Sequence, residues 1–119
     1  MHRLVQIVRF ESARKLTKVP KEHPCSNLYG LAFKLEIHVE GNVNPRTGFV
    51  MDFSEIEDNF EPLKKKLDHN YLNDLKGLDN PTSEVLIEWI WVNLKPKVEN
   101  LVKLVLWEND VSRVEYSEN

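Results

Sequence analysis

Cysteine is all but absent from this chain. The single thiol, Cys25, excludes an intrachain disulfide framework and fits a reducing compartment. Long apolar runs are missing too, so no segment approaches a membrane span, and no membrane partner is expected. The opening MHRLVQIVRF has neither the apolar core nor the cleavage site of a signal peptide, which points to a cytoplasmic protein. Nor is basic charge in excess. Sixteen Lys and Arg against nineteen Asp and Glu leave a formal net charge of -3 and a pI near 5.8, which argues against a nucleic-acid footprint. The densest basic run, Lys64-Lys65-Lys66, falls in a predicted helix beside acidic residues and reads as a solvated helix face. Repeats, low-complexity tracts and linkers are also lacking. The 119 residues therefore read as one domain, 1–119, large enough for a core without disulfide or metal staples.

What is present is a clear alternation of elements. A first strand runs from about Leu4 to Ser12, mixed on both faces, and an aperiodic loop with Pro20 and Pro24 follows. In the second strand Leu31, Phe33, Leu35, Ile37 and Val39 alternate with Ala32, Lys34, Glu36, His38 and Glu40, a period of two that demands one buried face. Ser54 and Glu57 have capping-box spacing and place a helix start at Ser54. Ile56, Phe60, Leu63 and Leu67 then form one apolar stripe, within which Pro62 should kink the helix. A second helix, capped by Thr82 or Ser83, carries Leu86, Trp89 and Ile90 and ends near Leu94, before Pro96. Strands at 101–109 and 112–117 close the chain around an Asn109-Asp110 hairpin turn. The order strand, strand, helix, helix, strand, strand predicts an α+β domain. Its four-stranded antiparallel sheet would carry both helices on one face.

Few residues are placed to do chemistry. Strand parity puts Glu108 on the same face as Val102, Leu104 and Leu106, where a carboxylate is costly without a partner. It either reaches water from a frayed strand end, which the residues alone favour, or grips the N–H donors of a ligand. Asp68-His69 closes the first helix. His69 is either a favourable charge at the helix C-terminus or a general acid or base. Cys25 is either an inert buried thiol or a nucleophile. His23 and Cys25 alone make a weak metal pair without a third ligand. His2 and His38 read as solvent-facing.

The blocks FESARKL (10–16), CSNLYG (25–30), TGFVMDFSEI (47–56), LDHNYLND (67–74) and NPTSEVLIEWIW (80–91), with the Glu108 of LWEN, span nearly the whole chain. Together they resemble the 6-pyruvoyl- and 6-carboxy-tetrahydropterin synthase family, and within it the queuosine-pathway 6-carboxytetrahydropterin synthases. The resemblance implies the tunnelling fold, in which sheets of several subunits join edge to edge, and hence a homo-oligomer, a trimer or hexamer. The two exposed edges of a four-stranded sheet need such pairing in any case. The resemblance further implies a pterin ligand of the dihydroneopterin triphosphate type, bound between subunits. It gives Glu108 the role of pterin anchor, against the reading from parity alone, and assigns the proton transfers to Cys25, Asp68 and His69.

It also implies a zinc ion held by three histidines, and here this sequence departs. Those positions are Arg14, Tyr29 and Leu31. Arginine stays protonated and leucine has no donor atom, so no metal is expected in the family's manner. Zinc in such enzymes is commonly worth several kcal/mol of charge stabilisation. Two expectations follow. One is a zinc-free lyase, weak or altered in its reaction, with Arg14 as a fixed charge and the Tyr29 hydroxyl as a substrate hydrogen bond. The other is a non-catalytic paralogue that binds a pterin or purine-like ring for regulation or assembly. A purely structural oligomer would leave the retained Glu108 and triad positions unexplained.

Overall fold

The architecture is set by two strands of unusual length. In a computed structural model describing residues 1–118, β1 (His2–Arg14) and β2 (Tyr29–Gly41) are thirteen residues each. They pair antiparallel from His2 opposite Gly41 to Arg14 opposite Tyr29. Such a ribbon is roughly 43 Å long, which accounts for the elongated 57 × 24 × 24 Å envelope. Helix α1 (Phe53–Leu67), β3 (Asn70–Tyr71), α2 (Ser83–Leu94), β4 (Leu101–Trp107) and β5 (Arg113–Tyr116) follow. The sheet order is β3-β1-β2-β4-β5. The antiparallel four-stranded sheet expected from the sequence is present, and to it is added β3, parallel to β1 through Ser12–Asn70 and Ala13–Tyr71. Two residues are too few to produce a periodicity, so this strand left no mark in the pattern.

One face of the sheet carries Phe10, Phe33, Leu35 and Ile37. It packs against Ile56, Phe60, Leu63 and Leu67 of α1 and Leu86, Ile87, Ile90 and Leu94 of α2. Phe10 and Phe33 stack across the strands at 5.1 Å, with Phe60 tilted against Phe10 at 6.2 Å. Burial of each such ring stabilises by about 1.5–3 kcal/mol. Among the described residues no helix is long and apolar enough to cross a membrane.

Three local expectations are corrected. Helix α1 starts at Phe53, capped by Asp52 rather than Ser54. The Asp52 carboxylate accepts the Ser54 N–H and hydroxyl, both at 2.9 Å, while Glu57 turns away to accept from Gln6 Nε2 at 2.8 Å. The helix then continues through Pro62 to Leu67, and the proline's position on the exposed side leaves the freed carbonyl to water. Val102 is not one step in a regular alternation. His38 faces Lys103 but Val39 faces Leu101, so Val102 is a β-bulge residue that restores Leu101 to the core face beside Leu104 and Leu106. His38 is not solvent-facing. It lies on the polar side of β2, as its parity requires, but between cross-strand Val5 and Lys103 it is buried. Its Nε2 meets Glu36 at 2.9 Å, while Nδ1 finds no partner among the described residues.

The cap makes a pH-dependent prediction. The hydrogen bonds from Ser54, the backbone one foremost, hold the Asp52 carboxyl below its ordinary value. The stability it contributes is therefore present above the unfolded carboxyl pKa and is lost as pH falls through the depressed folded value. Asp52→Ala is expected to lower the urea midpoint at pH 7 more than Ser54→Ala does, and the Asp52→Ala deficit should shrink at pH 3. Equal midpoints for the two variants at pH 7 would place the cap elsewhere.

Candidate active site at the end of the sheet

The alternation that sends Phe10 and Ser12 toward the helices also sends Arg14, the last residue of β1, into the protein. Its side chain is only 3% exposed. A guanidinium cannot shed its charge, so each donor needs a partner. Four groups from three segments supply them. Nε donates to the Tyr29 hydroxyl at 2.9 Å, directly across the β1–β2 pair. One terminal nitrogen donates to the Pro81 carbonyl at 3.1 Å and to Ser83 Oγ at 3.2 Å, at the start of α2. The other lies 3.3 Å from Glu108 Oε2, just past the end of β4. The guanidinium carbon also sits 5.3 Å from the Tyr29 ring centre and 5.6 Å from that of Phe33.

Glu108 thus stands where parity placed it, on the helix side, and its partner is Arg14. The Ser83 hydroxyl donates to the same oxygen, Oε2, in a short hydrogen bond. The backbone N–H of Glu108 is fixed by the Ser112 carbonyl at 3.0 Å. With both contacts on Oε2, the second oxygen has no hydrogen-bond partner among the described residues, and the side chain is 30% exposed.

Cys25 enters the same cluster through Tyr29. It lies in a short 3-10 turn, Pro24–Ser26, whose first free N–H, that of Cys25, is capped by His23 Nδ1 at 3.0 Å. His23 is therefore engaged as a cap. The Cys25 carbonyl accepts the Leu16 N–H at 2.8 Å, which ties the turn to the end of β1. Burial pushes the Tyr29 phenol up, and the neighbouring Cys25 thiol pushes it further, against the opposing pull of Arg14. A neutral phenol that accepts from Arg14 keeps its own proton to donate.

Asp68 and His69 form a separate group. Asp68 Oδ1 accepts the Glu11 N–H at 2.8 Å, and His69 N–H donates to the Glu11 carbonyl at 2.6 Å. The turn from α1 is thereby sewn to the edge of β1. The bond from Glu11 holds the Asp68 carboxyl below its ordinary value, helped by His69, whose Nδ1 is 3.0 Å away. His69 has a backbone φ of 58°, and its side chain is 76% exposed. It borders a shallow depression of about 560 Å³ floored by Ala13, Gly30 and Ala32. No hydrogen bond or ion pair joins the two groups among the described residues.

Of the residues singled out in the sequence, Arg14, Tyr29, Cys25 and Glu108 converge. Leu31 packs at the margin of the core opposite Ser12, and its hydrocarbon side chain offers a metal nothing, as Arg14 offers no lone pair. Among the described residues no group of three His, Cys, Asp or Glu is placed to hold a metal ion. Ser83 and the Pro81 carbonyl were missed as site groups. Their one signal was the NPTS start of α2, where Thr82 takes the cap by accepting the Val85 N–H at 3.1 Å and frees Ser83 to turn inward.

Removing either partner of the ion pair should not cost the same. Glu108→Ala strands a buried cation and is expected to destabilise by about 3 kcal/mol, the lower end of the range for breaking a buried pair, because Glu108 is itself partly wet. Arg14→Met should cost less, since Glu108 can turn to water. Urea unfolding of the two variants checks the order; a costlier Arg14→Met would contradict it.

Comparison with known proteins bears on the family and the fold. Residues 3–119 match the model of the 6-pyruvoyl tetrahydropterin synthase family. A 6-carboxy-5,6,7,8-tetrahydropterin synthase from Synechocystis is 40% identical over 91 residues, covering 72% of this chain and 69% of that protein. A dihydroneopterin monophosphate aldolase from Pyrococcus furiosus is 34% identical over 116 residues, 95% of each. The fold is that of the Caenorhabditis elegans 6-pyruvoyl tetrahydropterin synthase, with a TM-score of 0.91 at 19% identity over 99% of this chain and 96% of that one. On sequence and fold together, the chain belongs to the 6-pyruvoyl tetrahydropterin synthase family.

Proposed function

We propose that this protein binds a dihydropterin of the dihydroneopterin triphosphate type through Glu108 and is a 6-carboxytetrahydropterin synthase-like lyase that works without the family's zinc. The observation that carries the reading is the division of labour on Glu108. Arg14 and Ser83 hold Oε2, so the carboxylate is fixed and charge-compensated while its other oxygen stays free to accept from the ring N–H groups of a pterin. A carboxylate held this way costs a ligand little to order.

The residues at the family's metal positions do not suit zinc. Arg14 supplies a permanent charge there, which polarises and positions but is a poor Lewis acid. The neutral Tyr29 hydroxyl, between Arg14 and Cys25, is placed to hold a substrate oxygen or the Cys25 sulfur. Cys25, Asp68 and His69 are the proposed proton-transfer groups, and the reaction is a carbon–carbon or carbon–oxygen cleavage, weaker than the parent reaction or altered. A relative named as an aldolase, similar along 95% of both chains, supports altered chemistry. Because Asp68 and His69 stand apart from Cys25 within one subunit, the proposal includes a homo-oligomer, a trimer or hexamer, whose neighbours complete the site.

The separation of His69 from Cys25 also favours the second reading, a non-catalytic paralogue that keeps the ring pocket. The two are separated by incubation with dihydroneopterin triphosphate, once with added zinc and once with chelator, followed by product analysis. The lyase reading expects product in both arms, reduced by at least an order of magnitude in Cys25→Ala and in His69→Asn. Turnover unchanged in both variants would sink it. Calorimetry expects pterin binding to be lost in Glu108→Gln; wild-type protein that binds neither pterins nor guanine-like rings would sink both readings.

A further inference from the structure

The segment between β1 and β2 contains no strand and no helix longer than one turn, so its shape rests on a few hydrogen bonds. Where it leaves β1, the Leu16 N–H donates to the Cys25 carbonyl at 2.8 Å and the Thr17 N–H to Asn80 Oδ1 at 2.9 Å. Further out, the His23 N–H donates to the Pro20 carbonyl at 2.9 Å and Ser26 Oγ to the Lys21 carbonyl at 2.8 Å. The turn Pro24–Ser26 adds little of its own. The Ser26 N–H donates to the His23 carbonyl at 3.0 Å, and the Asn27 N–H to that of Pro24 at 3.2 Å. Proline has no N–H to give. The Cys25 N–H, next in line, has one partner among the described residues, and it is a side chain: His23 Nδ1 at 3.0 Å.

Peptide groups are planar, so a bond to the N–H and a bond to the C=O of one residue fix the two planes that meet at its Cα. At Cys25 the Leu16 N–H fixes one plane and the His23 imidazole fixes the other. Together they set the direction of the Cα–Cβ bond and hence the place of the thiol, half-buried beside Tyr29. Ser, Thr, Asp and Asn are the residues that ordinarily cap a helical start. Histidine fills the role here by geometry. Its Nδ1, like the Oδ1 of asparagine, lies one bond beyond Cγ and reaches the N–H two residues on, as in an Asx turn. The ring is exposed and has no other hydrogen-bond partner among the described residues.

We propose that His23 is a positioning residue for the Cys25 thiol. By capping the Cys25 N–H it holds the sulfur beside Tyr29, at the margin of the cluster built on Arg14 and Glu108. Without the cap the Pro24–Cys25 peptide is free to turn while the Cys25 carbonyl stays tied to Leu16, and the thiol swings toward solvent. His23 touches no ligand and passes no proton; it acts through one backbone bond. The catalytic consequence rests on the reading of Cys25 as a proton-transfer group, whereas the placement of the sulfur does not.

The chain has one cysteine, so alkylation of the full chain by iodoacetamide, followed by intact mass, reports on Cys25 alone. At a single pH, His23→Ala is expected to react about fivefold faster than wild type, the factor that loss of a cap of ordinary strength confers. His23→Asn restores an acceptor at the same reach and should react within about twofold of wild type. Equal rates in wild type and His23→Ala overturn the proposal. So does His23→Asn reacting as fast as His23→Ala, which would tie the effect to the ring and not to the bond. The same variants are then assayed with dihydroneopterin triphosphate. His23→Ala is expected to lower kcat about tenfold with KM unchanged, because Glu108 lies on another segment, and His23→Asn should recover most of the loss. Wild-type protein that turns nothing over yet shows the expected alkylation pattern sinks the lyase reading and leaves the positioning of the thiol standing. Wild-type turnover that His23→Ala leaves unchanged does the reverse.

Discussion

A buried guanidinium organises this protein. Arg14 cannot be neutralised, and its position at the end of β1 keeps it from water. The folded state must therefore bring it Tyr29 from β2, the Pro81 carbonyl and Ser83 from the start of α2, and Glu108 from the end of β4. Tyr29, Pro81 and Ser83 stand 15, 67 and 69 residues away in the chain, and Glu108 is farther still. The apolar core fixes which faces meet, but hydrophobic contact is non-directional. Directional bonds to one cation fix how the ends of three elements align. The same bonds leave Glu108 oriented with one oxygen spare, so the structural requirement and the proposed binding group are one arrangement.

A second set of bonds does comparable work at the neighbouring edge. The Asp68 carboxylate, the His69 amide and the Ser12 hydroxyl join the C-terminal end of α1 to β1, the last by donating to the Leu67 carbonyl at 2.6 Å. Asn70 reaches back to the carbonyls of Lys65 and Lys66 at 3.1 Å, satisfying acceptors that a helix end would otherwise leave to water. Strand β3 exists because this turn is held against β1. Side chains offered as proton-transfer groups are thus embedded in a structural splice. That is why Asp68 has a depressed pKa in a site open to solvent.

Much of this was legible in the sequence because burial writes a period. The alternation in β2 and the stripe in α1 gave the faces correctly, and the parity of Glu108 placed its carboxylate on the core side in need of a partner. What stayed hidden has no period. Arg14 as that partner depends on a pairing between distant segments. The bulge at Val102 shifts parity by one without changing composition. His38 follows the polar alternation, yet its neighbours cover it. Asp52 and Ser54 both suit a cap, and only the bonds each can make choose between them. The motif blocks carried the family where the period could not, but they could not say that Arg14 and Glu108 are bonded to each other.

The backbone at His69 has a further consequence. At a φ of 58° the chain occupies a region that glycine, asparagine, aspartate and histidine enter far more readily than other residues. The turn that delivers the His69 amide to Glu11 therefore admits a short list of side chains before any chemistry is asked of them. Of that list, histidine alone exchanges a proton near neutral pH with its ordinary pKa. Conformation and reactivity act here as two independent filters, and their overlap is a single amino acid. Asparagine passes the first filter and fails the second, so it separates the shape of this corner from what its imidazole does.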